Sequence, residues 1–177
     1  APSGHERAVA KRMLEGMRSL GVETEMDRMG NVVGYVPGRS HERKMMLSAH
    51  TDEVGLMVKY ISDEGLIYFD QNGLITALCL PGSKVQLLTR ERLQTGVIGT
   101  RSAHLTLPED GRKPLTFADL WIDVGASSRE EVLAMGIRHG TPIVFCPNFE
   151  HLNDGSIVSK AVDDRVGCTL LLKTLEA

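Results

Sequence analysis

The stretch Ser48-Ala49-His50-Thr51-Asp52-Glu53-Val54-Gly55 sets a histidine and a carboxylate two residues apart, directly after the apolar run Met45-Met46-Leu47. A short apolar run of this kind reads as a buried strand. His50 and Asp52 then fall at the carboxyl end of that strand, where open α/β sheets place their chemistry. Residues i and i+2 of an extended segment project to one side, so Asp52 is expected beside the His50 ring. A second motif, Lys160-Ala161-Val162-Asp163-Asp164-Arg165-Val166-Gly167, opens a helical pattern with two carboxylates. A helix N-terminus favours negative charge there.

These residue types suit one chemistry. Neutral imidazole and carboxylate are ligands for zinc, cobalt or manganese. His50 is a candidate ligand, and Asp52 is the candidate to accept its other ring N–H, fixing the tautomer and raising basicity. Asp163 has two oxygens and is the candidate bridge between two metals about 3.5–4 Å apart. Arg165 or Lys160 would screen the acidic cluster. On spacing alone a His-x-Asp pair is more often a pair of surface residues, and Asp163-Asp164-Arg165 is more often a helix cap with a salt bridge. His5, His41, His104, His139 and His151 have no partner at ligand spacing and read as structural or solvated. Glu53 reads as a charge at a strand end.

Outward from the motifs, the chain changes character twice. Ser3 and Glu6 resemble a capping box; Val9, Met13, Met17 and Leu20 then recur at helical spacing, and Gly21 ends the pattern. Alternation over Val22, Thr24 and Met26, a turn at Met29-Gly30-Asn31 and the run 32–36 predict a strand pair. A strand is expected over 54–61, a hairpin turn at Ser62-Asp63-Glu64-Gly65, and short strands over 66–69, 85–88, 96–99, 120–124 and 143–145. Gly and Pro punctuate these runs, which suits a small β-barrel or sandwich. One helix interrupts them, with Ser127 as its cap, Glu130 three residues on and Gly136 as its stop. Residues 105–116 read as an exposed loop. A final helix over 164–175 carries Val166, Leu170, Leu171 and Leu175 as its apolar face. The predicted fold class is α/β: an α/β domain of residues 1–59 and 154–177, interrupted by a β-rich insertion of residues 60–153.

Bulk properties narrow the function. The chain has 177 residues, 42% hydrophobic and 24% charged, with a net charge of −3. That balance is too mild to argue for nucleic acid or a membrane surface, and few aromatics argue against a base-stacking platform. No apolar run approaches a membrane span of about 18 residues. Cys79, Cys146 and Cys168 form no CxxC pair and read as reduced, mostly buried thiols of a cytoplasmic protein. So few α/β strands leave a sheet edge uncovered, so the chain is expected to be the N-terminal portion of a longer protein.

The ordered motifs resemble the M42 family of metallo-aminopeptidases, the group of glutamyl aminopeptidases and tetrahedral TET peptidases. The matching residues are Ser3-Gly4-His5-Glu6, Asp27-Arg28-Met29-Gly30-Asn31, Ala49 to Gly55 around His50, Gly96-Val97-Ile98-Gly99, Ile122-Asp123-Val124-Gly125-Ala126 and Lys160 to Gly167. The resemblance implies a zinc-peptidase-like catalytic domain, incomplete here, with an inserted PDZ-like β-barrel dimerisation domain. It implies removal of N-terminal residues from peptides with two divalent metal ions, zinc or cobalt. It implies assembly as homo-oligomers, from dimer to dodecamer. Carried over by position, His50 is a metal ligand, Asp163 the bridging ligand and Asp52 the catalytic aspartate. The family's general-base glutamate and its remaining ligands have no counterpart before Ala177, so the 177 residues alone are expected to be inactive. Two rivals remain at this stage: another two-metal hydrolase, such as a deacylase or carboxypeptidase, and a non-catalytic assembly or binding module.

Overall fold

Six strands of the middle of the chain close on themselves: β3 (Gly55–Ile61), β4 (Ile67–Asn72), β5 (Lys84–Leu88), β6 (Leu93–Thr100), β7 (Leu120–Asp123) and β8 (Pro142–Phe145). They form an antiparallel barrel in the order β3-β4-β7-β6-β5-β8, with β8 returning to pair with β3. This is a computed structural model, and it describes residues 1–40, 42–102 and 114–176. The chain divides into two units, one of Ser3–Glu53 with Ala161–Ala177 and one of Val54–Lys160, with Ala1 in the first and Pro2 in the second.

The barrel follows from alternation. Inward-facing Leu56, Val58, Ile67, Phe69, Val85, Leu87, Ile98, Leu120, Ile122 and Ile143 are all buried. Their neighbours along each strand are more exposed, as period-2 side-chain direction requires. Closure removes the sheet edges that an open sheet of this size would expose. Two glycines of β6 make room for β7: a Cβ on Gly96 would sit 2.5 Å from Ile122 Cγ2, and one on Gly99 2.8 Å from Trp121 Nε1. The β3–β4 turn needs Gly65, whose φ of +84° is the left-handed region and whose absent Cβ would meet Ala126 O at 2.8 Å. The short helix α2 (Arg129–Ala134) packs Val132 into the barrel core. Its cap is Ser128, which accepts from Glu131 N, one residue later than the expected Ser127. Ser127 N instead donates to Glu131 Oε2. A two-stranded ribbon, β9 (Glu150–His151) with β10 (Ile157–Val158), ends this unit.

The other unit has one small core. Helix α1 (Arg7–Ser19) buries Ala10, Met13 and Met17. The hairpin of β1 (Glu23–Met26) and β2 (Val32–Tyr35) follows. Its turn is held by Asp27, whose Oδ1 accepts from Met29 N at 2.8 Å and Asn31 N at 2.9 Å. That gives Asp27-Arg28-Met29-Gly30-Asn31 a structural role as an Asx turn. Helix α3 (Val162–Glu176) closes the cluster: buried Cys168 packs with Met13 and Met17, flanked by Leu172 and Leu175.

Five expectations are corrected here. Met45, Met46 and Leu47 are neither buried nor in a strand: the first two are 88% exposed. The run has strand chemistry, but no described strand pairs with it, and an extended segment gains burial only from neighbours. Of the predicted apolar face of α3, Leu175 packs in the cluster, where Cys168 and Leu172 join it, whereas Val166 and Leu170 are exposed. The capping box at α1 is absent. Glu6 itself is the N-cap with no side-chain cap bond, and its Oε1 accepts from Gly4 N. Of the cysteines, only Cys168 is buried, Cys79 being exposed and Cys146 intermediate. The strand β3 is a barrel strand, so residues 55–59, grouped by the sequence with the α/β part, pair with β4 and β8. His41, His104 and most of the loop 105–116 lie outside the described residues.

Candidate functional site

The segment 48–53 has no regular secondary structure, yet it is tightly specified by side chains. His50 and Asp52 project to the same side, and His50 Nδ1 lies 2.8 Å from Asp52 Oδ1. From the opposite end of the same unit α3 brings up Asp163, whose Oδ1 lies 2.9 Å from His50 Nε2. Both ring nitrogens of one imidazole are thus engaged by carboxylates. The two motifs singled out in the sequence, 113 residues apart, meet at this ring.

The electrostatics follow from those contacts. The hydrogen bond that the ring donates to Asp52 raises the His50 pKa above its ordinary value; desolvation opposes the rise and Asp163 adds to it. Asp52 is held below the usual carboxylate range, chiefly because the Ser3 hydroxyl donates to its Oδ2, with His50 contributing and desolvation opposing. Ser3 therefore serves the site rather than a helix cap. The His50 side chain is 56% exposed and that of Asp163 92% exposed, so the face where Nε2 meets Oδ1 is open.

Helix α3 also holds the His50 backbone. Asp164 Oδ2 accepts from His50 N at 3.2 Å, and Cys168 Sγ donates to His50 O at 3.2 Å. Burial pushes the Cys168 thiol up, which keeps it a donor. Glu53, read as a strand-end charge, is instead buried and lies 3.9 Å from Arg165 Nη2. Arg165 thus has an acidic neighbour in Glu53. Ser3, Asp164 and Cys168 were missed as site residues. The only signals were Ser3 in the matched N-terminal motif and the doubled aspartate at 163–164.

Imidazole Nε2 and a carboxylate oxygen facing one point, with Nδ1 held by a second carboxylate, is a donor set that fits a divalent metal. Among the described residues no group of three or more His, Cys, Asp or Glu converges to complete such a site. Nor is any described helix long and apolar enough to cross a membrane.

The family profile of M42 glutamyl aminopeptidase matches residues 30–177. Escherichia coli (strain K12) SgcX is 37% identical over 178 residues, covering 100% of this chain and 48% of that protein. Among solved structures, aminopeptidase APDkam598 from the archaeon Desulfurococcus kamchatkensis superposes with a TM-score of 0.92 at 41% identity, covering 99% of this chain and 48% of that one. The Pyrococcus horikoshii TET1 peptidase, which can assemble into a tetrahedron or a large octahedral shell, gives 0.87 at 30% identity, covering 99% and 52%. The chain thus spans about half the length of the relatives it matches.

Proposed function

The chain belongs to the M42 glutamyl aminopeptidase family, and on that footing we propose that it carries one side of a two-metal centre in an enzyme that removes N-terminal residues from peptides. One observation carries the reading: His50 Nε2 and Asp163 Oδ1 meet at 2.9 Å while Asp52 holds the other nitrogen of the same ring.

His50 would give Nε2 to one metal, zinc or cobalt. Asp163 would be the ligand shared by the two metals. A metal pair of this kind supplies Lewis acidity, lowering the pKa of a water and polarising the scissile carbonyl. The chain's own residues prepare that chemistry. Asp52 accepts the hydrogen bond from Nδ1–H, so the lone pair stays on Nε2, and it stabilises positive charge on the ring. Ser3 keeps Asp52 ionised and aimed by donating to its second oxygen. The open face at Nε2 and Asp163 leaves room for further ligands and for the group that moves the proton from water. We assign these to sequence beyond this half-length match.

The six-stranded barrel is read as the family's PDZ-like dimerisation module, and the complete protein as a homo-oligomer between dimer and dodecamer. The assembling TET1 relative supports this. A cytoplasmic location fits three free cysteines.

In the complete polypeptide, His50→Ala is expected to lower hydrolysis of aminoacyl-p-nitroanilides by more than about 100-fold, beyond the cost of losing an outer partner, and to remove one metal per subunit. Undiminished turnover with two metals bound would overturn the assignment. The 177-residue chain with added cobalt is expected to show negligible turnover, and rates near those of an intact enzyme would refute its being one side of the centre.

A further inference from the structure

The Asp-Asp pair at the head of α3 divides its labour. Asp163 faces the His50 ring, but Asp164 turns to the His50 backbone, accepting from its N–H at 3.2 Å through Oδ2. The other oxygen of Asp164 accepts from Gly167 N at 3.0 Å. One residue further along the helix, Cys168 donates its thiol to the His50 carbonyl at 3.2 Å. Both backbone polar groups of His50 are thus held by the head of α3. Gly167 is part of the device. A Cβ there would lie 2.4 Å from Asp164 Oδ1 and 2.6 Å from Oδ2, so any side chain at 167 would displace the carboxylate.

We propose that Asp164, seated on Gly167, and Cys168 form a backbone clamp that positions His50 for metal binding, and that neither is itself a ligand. This rests on His50 being a ligand. The physical argument is economical. Residues 48–52 belong to no strand, so no ladder fixes the His50 peptide. Two hydrogen bonds to a helix replace the ladder, one of them to an ionised acceptor and therefore the stronger kind. The clamp comes from the same helix head that presents Asp163, a stretch whose backbone leaves helical φ/ψ at Asp163 and Asp164 and so turns one carboxylate to the ring and the other to the backbone. Ligands must be held within a few tenths of an ångström for tight binding, and partners outside the ligand set are worth about 10–100-fold in affinity.

The experiment uses the complete polypeptide, with cobalt titrations followed by metal content per subunit and hydrogen exchange of the His50 amide. Asp164→Ala and Gly167→Ala are each expected to speed His50 amide exchange and to weaken cobalt binding about tenfold or more. Cys168→Ser, which keeps a donor, is expected to retain wild-type affinity within about twofold, whereas Cys168→Ala loses several-fold. Asp163→Ala separates the roles: it abolishes cobalt binding while leaving the His50 amide protected. If the wild-type protein takes no cobalt, the ligand reading fails, and the exchange data still decide the clamp. Unchanged His50 amide exchange in Asp164→Ala, or a Cys168→Ser no better than Cys168→Ala, would overturn the clamp.

Discussion

The barrel and the α/β unit are built from the same kinds of residue and use them in opposite ways. In the barrel fifteen buried residues form one continuous cluster inside a closed sheet. In the α/β unit the corresponding cluster is Met13, Met17 and Cys168. Val33, Tyr35, Met45, Met46 and Leu47, which have the apolarity of core residues, stand more than half exposed. Closure explains the difference: a barrel satisfies its own edges and buries its own inner face, whereas an α/β layer buries its apolar face only against another layer. Core packing is concentrated in one region and the candidate site lies in the other. The site lies where backbone ladders are fewest, so its geometry depends on side-chain hydrogen bonds.

Truncation of the barrel core should give the largest effect. Ile122→Ala is expected to cost about 4 kcal/mol, because Ile122 is fully buried and its neighbours cannot collapse into the space. Denaturant unfolding followed by hydrogen exchange of β4, β6 and β7 amides would measure it; a loss below about 1 kcal/mol would break the claim that the barrel is the tightly packed region. In the α/β unit Met17→Ala should cost about 2 kcal/mol, at the low end for such a change, since it leaves a small cluster beside solvent. Exchange of α1 amides is the readout. Met46→Ser should be neutral within about 0.5 kcal/mol and should improve solubility. A clear destabilisation would mean that Met46 is covered in solution, sharpening where a further layer sits.

The smallest effect is a titration. His50 should show a pKa above the ordinary value of about 6.5, and Asp52→Asn should lower it, because Asp52 is the main cause of the rise. The sign for stability follows. Protonated His50 contributes stability fully present below its ordinary pKa, and that contribution is lost as pH rises through the raised folded value. Metal affinity runs the other way, weakening as pH falls through the same value, since proton and metal compete for Nε2. A His50 ring that titrates at or below the ordinary value would remove Asp52 from its assigned place.

Several elements were legible in the sequence for simple reasons. The barrel strands are short apolar or alternating runs between turn residues, so β3, β5, β7 and β8 fall within a residue of their expected bounds, whereas β4 runs on to Asn72 and β6 begins at Leu93, three residues beyond the runs at 66–69 and 96–99. Gly21, Gly65 and Gly136 mark ends that a left-handed residue must make. The pairing of His50 with Asp52 follows from the two-residue period of an extended segment. The rest was not local. Met45-Met46-Leu47 has the composition of a buried strand, but composition does not supply a neighbour. The apolar face of α3 was misjudged because leucines surround the helix, and only the position of α1 selects Cys168, Leu172 and Leu175.

The sequence by itself determined the chemistry on offer: one imidazole with a carboxylate two residues on, and a distant doubled aspartate at a helix start. Spacing determines which neighbours can share a side, because strand and helix periods are fixed by backbone geometry. Only the tertiary structure decided which of the two aspartates faces the ring, that Ser3 holds Asp52, and that Gly167 and Cys168 complete a grip on the His50 peptide. Those contacts span 49 to 118 residues, apart from the local one between Asp164 and Gly167. No periodicity reaches that far; burial and hydrogen-bond satisfaction select such contacts only after the chain has folded.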